Sequence, residues 1–198
     1  MRIIVIDNYD SFTFNLVQMI EKISGSKADV VRNDRVTQGM IDRYDSIVLS
    51  PGPGIPSEAG DLLKIIEDYA GKKEIFGVCL GMQAIGEVFG ATLENLESVF
   101  HGVATDILVS EPVDYIFRDM PTKFKGGRYH SWVVSANDIP GCLSVTSSDE
   151  EGRIMSLSHK EMNVRGVQFH PESVLTPFGM KILSNWILAS SGDKHGLN

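Results

Sequence analysis

The run Ile75-Phe76-Gly77-Val78-Cys79-Leu80-Gly81-Met82-Gln83-Ala84-Ile85-Gly86-Glu87-Val88-Phe89 joins a strand-like stretch directly to a helix-like one. Ile75 to Val78 is a short apolar stretch of the kind that forms a strand buried on both faces. Leu80 to Phe89 follows at once with helical character. Cys79 stands at the joint, with Gly77 two residues before it and Gly81 two residues after. A strand that turns straight into a helix is the repeating joint of α/β architecture.

Toward the amino terminus the same unit recurs. Arg2 to Ile6 reads as a buried strand. Ser11 to Ser24 reads as a helix, with Phe12, Leu16, Met19, Ile20 and Ile23 on one face, Asp10 or Ser11 as cap and Gly25 as stop. Ala28 to Val31 and Ser46 to Leu49 are further strands, with a short helix over Thr37 to Tyr44 between them. A glycine- and proline-rich loop, Ser50 to Pro56, leads to a helix over Ser57 to Tyr69. Strands alternating with helices through short connections predict a single-domain α/β fold with a doubly wound, mostly parallel sheet.

Toward the carboxyl terminus the pattern changes. Thr105 to Val109, Trp132 to Ser135, Leu143 to Val145, Ile154 to Leu157 and Arg165 to Phe169 are short apolar stretches, expected to be antiparallel or edge strands that extend the sheet. Pro177 to Ser190 closes the domain as a helix, with Pro177 at its first position. The domain is expected to span 1–191, with a short tail over 192–198.

Composition narrows the function. The 198 residues carry 18 basic and 26 acidic side chains, a formal net charge of −8, and no basic run that would track phosphates, so nucleic acid is not an expected partner. No apolar run approaches the roughly 20 residues of a membrane span. Two cysteines far apart, Cys79 and Cys142, form neither a disulfide framework nor a paired metal-ligand pattern. With no signal-peptide pattern at Met1 to Asp10, a reducing cytoplasm is expected.

The chemistry centres on Cys79. A nucleophile at the tip of a sharp strand-to-helix turn needs small neighbours to let the chains pass, which explains glycines at 77 and 81. The amino terminus of a helix favours negative charge on the sulfur, and the Leu80 N–H can donate to an oxyanion. Taken alone, a lone cysteine is more often a buried apolar filler; Cys142, with no such turn, is read that way.

Val167-Gln168-Phe169-His170-Pro171-Glu172 supplies what a thiol nucleophile needs: a histidine at a strand end and a carboxylate two residues on to fix its tautomer. His101 and His159 have no acid so placed, and His195 lies in the tail. His130, in Arg128-Tyr129-His130-Ser131-Trp132, is better suited to lining a pocket. By residue type alone a single histidine is more often a satisfied core residue than a catalytic base, and Glu172 a solvated loop acid.

Together, Pro51-Gly52-Pro53-Gly54, Gly77-Val78-Cys79-Leu80-Gly81-Met82-Gln83 and Gln168-Phe169-His170-Pro171-Glu172-Ser173 strongly resemble the class I glutamine amidotransferases, three motifs in the family's order. Ile6-Asp7-Asn8-Tyr9-Asp10-Ser11-Phe12-Thr13-Phe14-Asn15-Leu16 is similar to the glutaminase subunits of anthranilate synthase and aminodeoxychorismate synthase rather than to the GMP synthetase branch. The resemblance implies Cys79 as nucleophile, His170 as base and Glu172 as its orienter. It implies an oxyanion hole from Gly54 and Leu80, and L-glutamine contacts from Gly52, Pro53, Gly54, Gln83, Ser131 and Trp132. No cofactor and no metal are implied for this half-reaction, and any magnesium belongs to the partner. That partner is expected to be a separate chorismate-binding synthase subunit, in a heterodimer or heterotetramer, docked against Asn8 to Phe14. Anthranilate synthase is the first expectation and the folate-pathway synthase, or service to both, the second. A γ-glutamyl hydrolase or cysteine peptidase would use the same nucleophile. Close relatives often have histidine at the position of Met82, leucine at Trp132 and lysine at Val103.

Overall fold

A computed structural model describes residues 1–37 and 39–190. The expected tail and His195 lie outside them. In chain order the regular elements are β1 (Ile3–Asp7), α1 (Thr13–Ser24), β2 (Asp29–Arg32), β3 (Ser46–Leu49), α2 (Leu62–Tyr69), β4 (Glu74–Val78), α3 (Leu80–Val88), β5 (Leu93–Asn95), β6 (Val103–Val109), β7 (Lys123–Arg128), β8 (Trp132–Val134), β9 (Leu143–Ser148), β10 (Ile154–His159), β11 (Val164–Val167) and α4 (Gly179–Ser190). Nine strands form one sheet in the order β2-β1-β3-β4-β11-β10-β9-β6-β7, and β5 pairs with β8 in a small second sheet. From β2 to β11 neighbours run parallel; from β11 to β7 they alternate antiparallel.

Period-two alternation explains why helices cover both faces. Ile3 and Val5 of β1, Val48 of β3, Phe76 and Val78 of β4 and Val167 of β11 point into one core, which is closed by Leu16 and Ile20 of α1 and by Ile182, Leu183 and Trp186 of α4. Their strand neighbours Ile4, Ile6, Ile47, Leu49, Ile75 and Val164 point into the other, closed by Leu62, Ile65 and Ile66 of α2 and Ala84 and Ile85 of α3. Such strands read as continuous apolar runs because neither face meets water.

Several expectations are corrected. Of the antiparallel or edge role expected for Arg165–Phe169, only the antiparallel pairing is found, and on one side: β11 lies mid-sheet, antiparallel to β10 and parallel to β4. The helix expected over Thr37–Tyr44 is one 3-10 turn, Ile41–Arg43. The helix expected from Ser57 splits into a 3-10 turn at Pro56–Glu58 and α2, because Gly60 between them has φ +55°, outside the helical region. α1 starts at Thr13 without a side-chain cap on its first turn; Asp10 instead accepts the Phe12 N–H at 2.7 Å just ahead of it. α4 starts at Gly179, two residues later than expected.

The parallel half places the site. Asp7, Leu49, Val78 and Val167 end β1, β3, β4 and β11 along one edge, so the segments that follow (Asn8 onward, Ser50 to Gly54, Cys79, and Gln168 to Glu172) emerge side by side. The carboxyl ends of parallel strands are where open α/β sheets assemble sites.

Candidate active site

Cys79 occupies the joint between β4 and α3 with φ 52° and ψ −103°, a conformation non-glycine residues rarely adopt. Its N–H donates to the Val167 carbonyl at 2.8 Å, and its carbonyl accepts the Gln83 N–H at 3.0 Å, which pins the strained residue from strand and helix at once. The flanking glycines are required by close approach. A Cβ on Gly77 would stand 2.5 Å from the Gly81 carbonyl, and one on Gly81 would stand 2.6 Å from the Leu49 carbonyl. Leu80 holds the first helical position, where a backbone N–H has no acceptor within the helix.

His170 follows β11 by three residues. Its N–H donates to the Gly127 carbonyl at 2.9 Å, and its own carbonyl accepts from the Thr176 hydroxyl at 2.6 Å. Nδ1 lies 2.6 Å from Glu172 Oε1, and both side chains are buried. The ring is walled by Tyr129 and Phe12, with centroids at 4.8 and 5.5 Å. Nε2 is buried and makes no hydrogen bond among the described residues, which leaves it for the Cys79 side. Burial opposes charge on this imidazole, but the Cys79 sulfur and the Glu172 carboxylate more than offset it, and its pKa is pushed up to about 10. The pair is therefore arranged to hold a proton on His170 opposite the sulfur.

The Ser50–Gly54 loop is anchored by a buried residue whose role sequence reasoning missed. Asn8 donates from its backbone N–H to Ser50 Oγ at 2.8 Å and from Nδ2 to the Ser50 carbonyl at 2.7 Å, and its Oδ1 accepts from Asn33 Nδ2 at 3.1 Å. Gly52 packs so tightly that an added Cβ would stand 2.6 Å from both Asn8 Cβ and Leu80 Cδ2. The loop thus lies directly over the start of α3. Pro53 and Gly54 are exposed, and Gly54 has φ +72°, open to glycine. Within the expected partner-facing segment Asn8 and Thr13 are buried, while Tyr9 and Phe14 are exposed.

Gln83, in the first turn of α3, is almost fully buried. Its Nε2 donates to the Trp132 carbonyl at 2.8 Å and to Gln168 Oε1 at 3.2 Å. Both amide hydrogens are spent, so its Oε1 remains for a ligand. Ser131 and Trp132 are half-buried beside it; the Ser131 carbonyl accepts from the Leu96 N–H at 2.7 Å.

His130 does not line an open pocket. It is buried, accepts from Arg128 Nε at 3.1 Å through Nε2, and donates from Nδ1 to the Trp132 carbonyl at 3.0 Å. Burial and the Arg128 charge push its pKa down to about 3, so it is neutral at ordinary pH. Arg128 is itself buried, 2.7 Å from Asp149 and stacked 3.6 Å over the Phe100 ring. This support was invisible in the sequence, because Asp149 lies 21 residues from Arg128 and neither belongs to a motif. His101 only meets the Tyr129 ring by its edge, and His159 Nδ1 accepts backbone N–H groups from Glu161 and Met162. Cys142 is half-exposed and far in the chain from these groups. Among the described residues no helix is long and apolar enough to cross a membrane, and no three His, Cys, Asp or Glu side chains gather as a metal site.

Comparison with known proteins places this geometry in a family. Residues 4–190 match the model of the glutamine amidotransferase class-I family. The chain is 44% identical over 189 residues to anthranilate synthase component 2 of Azospirillum brasilense, covering 93% of this chain and 94% of the relative. It is 43% identical over 187 residues to aminodeoxychorismate/anthranilate synthase component 2 of Bacillus subtilis, covering 93% and 95%. In fold it is similar to the crystal structure of a glutamine amidotransferase from Thermotoga maritima, with a TM-score of 0.77 over 97% of this chain and 98% of that one at 14% identity. A match of this extent, over a strained cysteine facing a histidine–glutamate pair, shows that the chain belongs to the class I glutamine amidotransferases.

Proposed function

We propose that this chain is the glutaminase subunit of a chorismate-using synthase, most directly anthranilate synthase, hydrolysing L-glutamine to glutamate and supplying ammonia to a separate synthase subunit in the cytoplasm. The observation that carries the proposal is the strained Cys79 set against His170, whose tautomer Glu172 fixes at 2.6 Å. Relatives matched along nearly their whole length bear the anthranilate synthase name.

In this reading the Cys79 sulfur attacks the side-chain amide carbon of glutamine, and the carbonyl electron pair moves onto oxygen, where the Leu80 and Gly54 N–H groups receive it. Collapse of that intermediate expels the nitrogen, which takes the His170 proton and leaves as ammonia. His170 then takes a proton from water as the water attacks the thioester, and the C–S bond breaks to return glutamate and free sulfur. Glu172 holds Nδ1 so that Nε2 faces the reaction throughout. Gly52, Pro53, Gly54, Ser131 and Trp132 hold the substrate's backbone end, and Gln83, with only its Oε1 free, accepts from the substrate ammonium.

Cys79 is only 5% exposed and Phe12 and Tyr129 cover His170, which supports a glutaminase that is slow until a partner docks on that side. A second reading is one chain serving two synthases, favoured by the double name of the Bacillus subtilis relative. The test is Cys79→Ala in the complex co-purified from the native cell. Glutamine-dependent product formation is expected to vanish while ammonia-dependent synthesis persists. Retained glutamine-dependent product would eliminate the nucleophile, and hydrolysis of γ-glutamyl peptides at full rate without any synthase would move the chain to another class of enzyme.

A further inference from the structure

Gln168 is fully buried just past β11, outside the Cys79–His170–Glu172 set. Its backbone N–H donates to the Met155 carbonyl at 2.9 Å, which fixes the main chain. Its side chain bridges two parts of the site: Oε1 accepts from Gln83 Nε2 at 3.2 Å, and Nε2 stands 3.5 Å from Cys79 Sγ.

Which end of each carboxamide is which follows from a single backbone group. The Trp132 carbonyl can only accept, so the Gln83 atom 2.8 Å from it is the NH2. The second hydrogen of that NH2 needs an acceptor, so the Gln168 atom it meets is oxygen. The group left facing sulfur is therefore the Gln168 NH2. His130 donates to the same carbonyl while accepting from Arg128, and Arg128 is anchored by Asp149. The carbonyl that sets the polarity is thus held in place by a buried ion pair.

We infer that Gln168 is a catalytic residue of this site, its carboxamide N–H donating a hydrogen bond to the Cys79 sulfur that holds and aims it as an anion. The inference rests on Cys79 being the nucleophile. A carboxamide suits the task because it donates without competing for the proton that His170 must carry. Burial strengthens the bond, since no water competes for the sulfur. As the sulfur gives its electron pair to the amide carbon the bond weakens. When the thioester is hydrolysed and the C–S bond breaks, the pair returns to sulfur and the bond reforms, so Gln168 assists departure of the sulfur as well as its readiness.

The test uses the full chain with Gln168→Met, which keeps the volume and removes the donor, and Gln168→Glu, which keeps an acceptor for Gln83 but sets an anion beside the sulfur. Iodoacetamide labelling is followed by mass spectrometry across pH, with Cys142 as the internal reference. In Gln168→Met, labelling of Cys79 at pH 7 is expected to fall about 10- to 100-fold and its pH profile to move toward alkali, the loss expected when one hydrogen bond to a charged atom is removed. Cys142 should not change. Gln168→Glu is expected to be slower still at neutral pH and to recover in acid, where its protonated carboxyl can donate. In the synthase complex kcat for glutamine should fall with KM little changed. A merely structural role would make the glutamate variant the milder one and leave the Cys79 profile where it was. Superposition of the Gln168→Met profile on that of wild type overturns the inference. Absence of glutamine-dependent ammonia release from the wild-type complex would instead defeat the reading of the site itself, whatever the labelling shows.

Discussion

Lowering the pH from 7.5 to 5 should weaken this fold through one buried histidine, and the size of the effect can be worked out. His130 is held neutral in the folded chain, its pKa pushed down to about 3 by burial and by the Arg128 charge, whereas in the unfolded chain it has the ordinary value of 6.5. A base with a depressed folded value binds fewer protons folded than unfolded between those limits. Its share of stability is therefore intact above pH 6.5 and is lost as pH falls from there toward 3. At pH 5 the unfolded state is favoured by 1.5 pH units, or about 2 kcal/mol at ~1.36 kcal/mol per unit. The structural cause is specific: a protonated His130 could no longer accept from Arg128 and would set two cations side by side in the core. Urea unfolding at pH 7.5 and 5.0 measures the change. His130→Gln keeps a donor and an acceptor but does not titrate in this range, so its loss between the two pH values should be about 2 kcal/mol smaller than that of wild type. Equal losses in the two proteins would refute the reasoning, because the carboxylates that titrate in acid are common to both.

Two further outcomes follow from the geometry. Gly81→Ala would set a methyl 2.6 Å from the Leu49 carbonyl, so unfolding free energy should fall by about 1–3 kcal/mol and glutaminase activity should fall with the distorted turn; an unchanged urea midpoint with full activity would show that the strand-to-helix turn has slack. On the roles proposed for the pair, Glu172→Gln would remove the orienting charge but leave the base, so its kcat/KM should remain roughly 10- to 100-fold above that of His170→Ala, and equal or reversed losses would argue against those roles.

Much of the fold was legible because both-face burial leaves a plain signature. The apolar runs of β1, β3 and β4 could be read directly, as could the α1 and α3 faces. β7, Lys123–Arg128, was missed because Lys123, Lys125 and two glycines hide its alternation, although Phe124 is buried. The central place of β11 has no mark in its four residues, which fit an antiparallel or edge strand equally well; only the pairing with β4 shows it. The site divides the same way. Motif residues at turns, Cys79 with its glycines and His170 with Glu172, stood out because turn geometry and chemistry demand those types. The contacts of Asn8, Arg128, Asp149 and Gln168 did not, because each is made with a residue far along the chain that only folding brings near.

The proposed mechanism puts the glutamyl group on Cys79. Acid quench of the native synthase complex during turnover of L-glutamine, followed by digestion and mass spectrometry, tests it most directly. A glutamyl thioester is expected on the peptide containing Cys79 and none on the peptide containing Cys142. A complex that turns over glutamine with no adduct on Cys79 at any quench time, or with the adduct on Cys142, would contradict it.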